Sequence, residues 1–329
     1  MVDISLPDDV RIAFWGPLND KRQLCNGDLI EDLDLSTYMD YYTHQWTTMV
    51  IHADGRYVTV RTYENIAEIV HLLLQGDTRE SIMKYLRQKD PGHTEDACGN
   101  SINLAARLLL MLNIGDVKHQ VGPRRFLAWE EDSLKDLVKE QFSESQVLDT
   151  HNVRLSKSFN AWAINVIGGL RIRFTDNLAD HLLLVDDDTK VLIFHHVSFL
   201  ECQQRSLFPQ GLVEEILRTL ALLFPQSEFS SLRRGRNHRR VWFRKICPNV
   251  KQYKIDPRII LCGSLRAEDR HIERFNFWRD RLIILKQAYD ESTPKTASQW
   301  WHDRRNGERW STFWVAILVL IITTTLRIF

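Results

Sequence analysis

Paired cysteines are missing from this chain: Cys25, Cys98, Cys202, Cys247 and Cys262 are odd in number and scattered, with no Cys-x-x-Cys pair. That argues against a disulfide framework or a zinc ribbon and suits a reducing compartment. An excess of one charge is missing too, because Lys plus Arg and Asp plus Glu both number 43. No whole-chain field therefore recruits nucleic acid or acidic substrates, and charge-driven binding has to be local. Glycine forms no phosphate-cradling loop before Gly-Lys-Ser/Thr, and there is no Gly-x-Ser-x-Gly elbow and no kinase signature. The first fifteen residues carry Asp3, Asp8 and Asp9 and no apolar core of signal-peptide length, so no cleaved secretory signal is expected. Internal repeats and low-complexity tracts are also lacking.

What is present is globular composition over 329 residues, 44% hydrophobic and 26% charged. That length allows two domains and a sizeable core. The expected class is α+β: a mixed soluble body with two β-hairpins packed on amphipathic helices, plus a C-terminal transmembrane helix. In the N-terminal region, 1–150, β-rich runs from Thr47 to Tyr63 flank Ala53-Asp54-Gly55-Arg56, whose Asp-Gly step suits a tight hairpin turn. Helical periodicity follows over Asn65 to Leu74, Thr78 to Gln88 and Ser101 to Leu112. Asp77 with Glu80 is expected to cap the second of these, and Gly115 to stop the third. A fourth, mostly polar helix is expected over Asp132 to Phe142.

A polar stretch from Gln141 to Ser158 holds the expected boundary with a second α+β region, 151–295. There a short helix over Ser158 to Ile167 should stop at Gly168-Gly169, before Leu170, Ile172 and Phe174 alternate with Arg171, Arg173 and Thr175 as a half-buried strand. His181 to Val185 and Lys190 to Phe194 read as a second hairpin around Asp186-Asp187-Asp188-Thr189. Pro209 to Phe224, bracketed by Pro209 and Pro225, is the clearest amphipathic helix, and a last soluble helix is expected over Arg270 to Tyr289. A juxtamembrane segment, 296–309, contains Trp300, Trp301, Arg304, Arg305 and Arg309. Residues 310–329 read as a membrane anchor of roughly 30 Å at about 1.5 Å per residue. Trp310 and Trp314 would mark one interface, Arg327 would snorkel, and the basic residues outside favour a cytosolic body. The expectation is a single-pass tail anchor.

Four strings in the second half carry a family resemblance: Thr175-Asp-Asn-Leu-Ala-Asp-His181; Leu207-Phe-Pro-Gln-Gly-Leu through Pro225; Phe277-Trp-Arg-Asp-Arg-Leu-Ile-Ile-Leu-Lys286; and Gln299-Trp-Trp-His-Asp-Arg-Arg305 ahead of Thr312-Phe-Trp-Val-Ala-Ile-Leu-Val-Leu320. Over roughly residues 158 to 329 the chain resembles a family of uncharacterised single-pass membrane proteins of filamentous fungi. The resemblance implies a soluble region with a C-terminal membrane segment, and it brings no assigned activity or catalytic residues to carry over. In that family the membrane segment runs on into a further apolar, glycine-containing stretch, whereas here Thr323-Thr-Thr-Leu-Arg-Ile-Phe329 follows.

Candidate chemistry is thin. His181, His195 and His196 stand in or beside the second hairpin with Asp186, Asp187 and Asp188 at its turn, but successive residues of a regular strand face opposite sides. His195 and His196 are therefore not expected to share an ion, and no metal or cofactor is expected. A solvated turn with one core-facing histidine is the plainer reading. Asp176 and Asp180, four apart, could share a helical face and do acid–base work with His181, although such carboxylates more often cap a short helix. His271-Ile-Glu273 lacks the Pro-Cys-x-x-Cys of a zinc deaminase. The cysteines read as small buried hydrophobes.

The strongest local charge feature is Arg233, Arg234, Arg236, Arg239, Arg240, Arg244 and Lys245, interleaved with Trp242 and Phe243. A solvated loop is the default, and contact with anionic lipid fits an anchored protein at about 1 kcal/mol per basic residue. RNA binding is disfavoured. The leading expectation is thus a non-enzymatic binding or scaffolding protein, its partners the bilayer through 310–329 and a further protein. The rivals are a membrane-proximal enzyme using Asp176, Asp180 and His181, and a nucleic-acid or lipid binder using the basic cluster.

Overall fold

The computed structural model describes residues 8–16, 33–51, 57–115, 126–130, 132–143, 148, 152–203, 207–229, 238–247, 254–293, 299 and 307–328. It is an α+β protein in which a small three-stranded sheet is set among helices. The first hairpin expected from the sequence is a correction. Thr47–Ile51 continues helix α2 (Ser36–Trp46) as one π-helical turn, and residues 52–56, which hold the Asp-Gly step, lie outside the described residues. Tertiary packing overrides the β-propensity of this run: Tyr38, Tyr42 and Met49 all face the core. Val58 and Val60 are buried, but the backbone between them is held by a side chain, the Thr59 N–H donating to Ser101 Oγ at 2.7 Å. No named strand occurs before residue 171 among the described residues, whose elements there are helices.

Helix α1 (Asp8–Trp15), which the sequence did not announce, delivers Phe14 and Trp15 to an aromatic cluster with Tyr38 and Tyr42. The next helices lie close to expectation. Helix α3 (Tyr63–Gln75) begins with a capping box between Thr62 and Asn65 and ends on Gly76 at φ +88. Helix α4 (Arg79–Lys89) is capped by Thr78 instead of Asp77. Helix α5 (Glu95–Leu110) starts a turn and a half earlier than its periodicity indicates, because Thr94 caps it, and it ends at Met111 in the left-handed region, before Gly115. It is buried on nearly all sides, as a central helix is. Helix α6 (Leu134–Gln141) buries only Leu134 and Val138.

In the second half, α7 (Ala161–Val166) leads through Gly168-Gly169 into β1 (Arg171–Thr175). The expected hairpin forms with β2 (Leu184–Val185) and β3 (Lys190–Phe194), paired Leu184 to Val191 and Val185 to Lys190. Its turn, Asp186-Asp187-Asp188, is exposed, each residue at a positive φ of 54–55°. The strand order is β1-β3-β2, and β1 joins β3 in parallel, Arg171 opposite Lys190 and Thr175 opposite Phe194. The chain leaves β1, crosses to the far edge and folds back into the middle. Both C-terminal strand ends therefore emerge side by side.

Helix α8 (Val197–Glu201) follows directly, then α9 (Leu212–Leu223), whose Leu212, Ile216, Leu220 and Leu223 are fully buried at about 1.5–3 kcal/mol each. Helices α10 (Gln226–Phe229) and α11 (His238–Ile246) come next. Short 3-10 turns occupy much of 257–274, so α12 (Arg279–Glu291) starts later than its periodicity indicates. The core runs across the expected boundary near residue 150: Tyr38 stacks on Phe199 at 5.5 Å, and Leu178 N–H donates to Met111 O at 2.9 Å.

The expected anchor is helical: α13 spans Gly307–Ile328. No helix among the described residues is long and apolar enough to cross a membrane. The uninterrupted apolar run, 313–322, covers only about 15 Å at 1.5 Å per residue, half of a hydrocarbon core.

Candidate functional site

The parallel register of β1 and β3 builds the site. Thr175 stands opposite Phe194, so the next residues, Asp176 and His195, leave their strands at the same level. Beyond Phe194 the backbone no longer alternates. His196 has φ −77 and ψ 73, and Val197 N–H donates to His195 O at 2.9 Å, which is an inverse γ-turn centred on His196. This turn overturns the expectation that the two histidines face opposite sides. Their rings stack with centroids 4.0 Å apart and planes 26° apart.

Both rings meet one carboxylate. Asp176 Oδ1 lies 2.8 Å from His196 Nε2 and 3.3 Å from His195 Nε2. Among the described residues, these three are the one group of His, Cys, Asp or Glu whose ligand atoms all fall within 4.8 Å of one another. The histidines are buried, whereas the Asp176 side chain is 34% exposed and forms the open side. Burial acts to raise the Asp176 pKa, but the hydrogen bonds and charge of His195 and His196 outweigh it and hold the carboxyl well below the ordinary carboxylate range. Burial, helped by His195, pushes His196 down to about 4 against the pull of Asp176, so its ring is neutral at pH 7.

The surroundings fix this geometry. Asp176 is followed by Asn177, whose Oδ1 accepts from Asn113 N–H at 3.1 Å, which ties the loop to the end of α5. Behind His195 lies Asp256, buried, with its carboxylate accepting from Ser198 N–H at 2.7 Å and Arg258 N–H at 2.9 Å. Asp256 N–H points at His195 Nδ1 from 3.4 Å. Arg258 is in turn held by a buried two-point ion pair with Glu201, Nε to Oε2 at 2.6 Å. Phe174 and Tyr41 pack edge-on against the two imidazoles.

The acid–base cluster considered from the sequence does not assemble. Asp176 turns to His195 and His196, and it does not cap the following 3-10 turn, Leu178–Asp180, whose N-cap residue is Asn177. His181 is buried elsewhere: its Nδ1 accepts from Phe194 N–H at 3.2 Å and its Nε2 meets Thr219 Oγ1 at 2.7 Å. The site that does form was missed. Its sequence signal is a His-His pair at the end of one β-run and an Asp at the end of another, and only parallel pairing brings them together.

The basic cluster is divided. Arg233, Arg234 and Arg236 lie outside the described residues. Arg239, Arg240, Arg244 and Lys245 are on α11, a helix and not a loop, which docks by Phe243 against Phe224 and by Trp242 Nε1 donating to Asn165 Oδ1 at 2.8 Å. Arg239 pairs with Glu228 at 2.5 Å and lies over the Trp162 ring, while Arg244 and Lys245 are exposed. Of the expected interface residues, Trp300, Trp301, Arg304 and Arg305 lie outside the described residues, Arg309 and Trp310 belong to α13, and Trp314 is half-buried on it. No family model, curated protein or solved structure matches this chain.

Proposed function

We propose that this chain is a membrane-held binding or scaffolding protein, an α+β body carried on a bilayer by α13 as a single-pass anchor, with the body facing the cytosol. The observation that carries the reading is the exposure of the apolar middle of α13. Val315, Leu318, Val319, Leu320, Ile321 and Ile322 are 47–64% exposed, and they account for most of the large exposed hydrophobics among the described residues. A run of large apolar side chains belongs in a core or in lipid, and among the described residues no core covers these six.

The short apolar run is lengthened by the threonines after it. Thr323, Thr324 and Thr325 each bond back to carbonyls three and four residues earlier, at 2.8–3.0 Å, so their hydroxyls are satisfied within the helix. Hydrocarbon tolerates a threonine in that state, and 313–326 then covers about 21 Å, a mismatch that local bilayer thinning accommodates. Exposed Arg244 and Lys245 supply a second, electrostatic contact for an anionic leaflet.

The test is alkaline-carbonate extraction of the full chain beside a version ending at Arg309, with protease protection on intact membranes. Retention of the full chain alone, with its body digested from the cytosolic side, supports the reading. Release of both versions overturns it.

A further inference from the structure

We propose that Asp176, His195 and His196 form a binding site for one divalent transition-metal ion of the zinc class, with Asp176 Oδ1 and the two Nε2 atoms as protein ligands and the remaining coordination open on the Asp176 side. Two imidazoles and a carboxylate with a free position are the donor set by which catalytic zinc and non-haem iron are held. This goes beyond the membrane reading and does not depend on it.

The geometry is that of a ligand set. Four ligands at about 2.0–2.1 Å around zinc stand roughly 3.3 Å from one another. The two nitrogen–oxygen separations here are 2.8 and 3.3 Å, and all three atoms lie within 4.8 Å of one another. In the present arrangement two imidazoles converge on one carboxylate oxygen.

An imidazole ligates through the Nε2 lone pair when its ring proton sits on Nδ1, and the tautomer follows from the ligand atom used. For His195 the Nδ1 now accepts weakly from the Asp256 N–H at 3.4 Å, and ligation through Nε2 requires that long contact to give way.

Access and rigidity point the same way. The ligands sit beyond the C-terminal ends of two parallel strands, the position at which open α/β sheets bind ligands. The histidines are buried, and Asp176 is the part-exposed member of the set.

The test uses the full chain in detergent, stripped with a chelator and titrated with Zn2+ by calorimetry and with Co2+ by visible absorption. One equivalent of Zn2+ should bind, and Co2+ should give the intense d–d bands of a low-coordinate site. Asp176→Asn should weaken binding roughly 100-fold or more, as loss of a direct ligand should exceed the 10–100-fold typical of an outer-shell partner. His196→Gln should do the same, and His271→Ala should leave it unchanged. The Zn2+-induced rise in Tm of the unaltered chain reads binding without any variant. Absence of a saturable equivalent, or binding that persists in Asp176→Asn and His196→Gln, overturns the proposal.

Discussion

Thr175 stands directly opposite Phe194 in a parallel pair, and from this one register the carboxylate of Asp176 comes within 2.8 Å of His196. The residues are twenty apart in sequence, and neither strand would reveal the neighbour alone. The inverse γ-turn at His196 then rotates the second ring onto the first.

The hairpin turn stores removable strain. Asp186, Asp187 and Asp188 all hold positive φ, a region that costs an L-residue with a Cβ roughly 1–2 kcal/mol and glycine almost nothing. Asp187 is the exposed middle residue. Asp187→Gly should raise stability by about 1 kcal/mol, read as a higher urea midpoint with unchanged slope. A lower midpoint would show that the aspartate contributes more through local hydrogen bonds than its conformation costs.

His181 should make the fold acid-sensitive. Burial, and Arg281, whose Nη1 donates to the His181 carbonyl at 2.6 Å, push its pKa down to about 3 from an ordinary 6.5. Between those values the unfolded chain takes up a proton that the folded chain refuses, so stability falls as pH drops through that window and returns as pH rises. The fall approaches about 1.4 kcal/mol per pH unit. Urea midpoints for the unaltered chain should slope more steeply there than those for His181→Phe, and parallel slopes would exclude His181 as the cause.

Glu215 joins α9 to the start of α12. It is buried, and its two oxygens accept from Asn276 N–H at 2.7 Å and Trp278 N–H at 2.8 Å. Glu215→Gln keeps the shape but turns an NH2 toward one of these donors, leaving it unsatisfied at a cost of about 1–3 kcal/mol. Thermal unfolding should register a loss of that size, with the secondary structure of the folded state unchanged by circular dichroism.

The basic residues of α11 should separate into two kinds. Arg244 and Lys245 are exposed, so replacing both by alanine should cost about 2 kcal/mol, roughly 30-fold, in partition to anionic vesicles and leave Tm unchanged. Arg239 is engaged by Glu228 and Trp162, so Arg239→Ala should lower Tm. Equal vesicle binding by the Arg244→Ala, Lys245→Ala double variant would remove α11 from the lipid-contact surface.

Helices with a strong apolar stripe and a polar cap were legible in the sequence. Ile66, Ile69, Val70 and Leu73 of α3 and Leu212, Ile216 and Leu220 of α9 face inward as their spacing indicates. The run from Thr47 was misread because β-branched residues there extend a helix whose aromatic face is already buried. Helices α1 and α2 escaped notice because their buried residues are mostly Trp and Tyr, which periodicity rules score weakly.

By itself the sequence determined the local devices: the second hairpin with its acidic turn, the amphipathic stripes of α3 and α9, and an apolar C-terminal helix, since each is set by residues within one or two turns of each other. Only the tertiary structure decided which strand β1 would pair with, that Asp176 would join His195 and His196, and that Asp180 and His181 would stay apart from them. The physical reason is that parallel pairing and burial are fixed by packing between distant segments, with Phe199 against Tyr38 and Leu178 against the end of α5, and no local pattern carries that information.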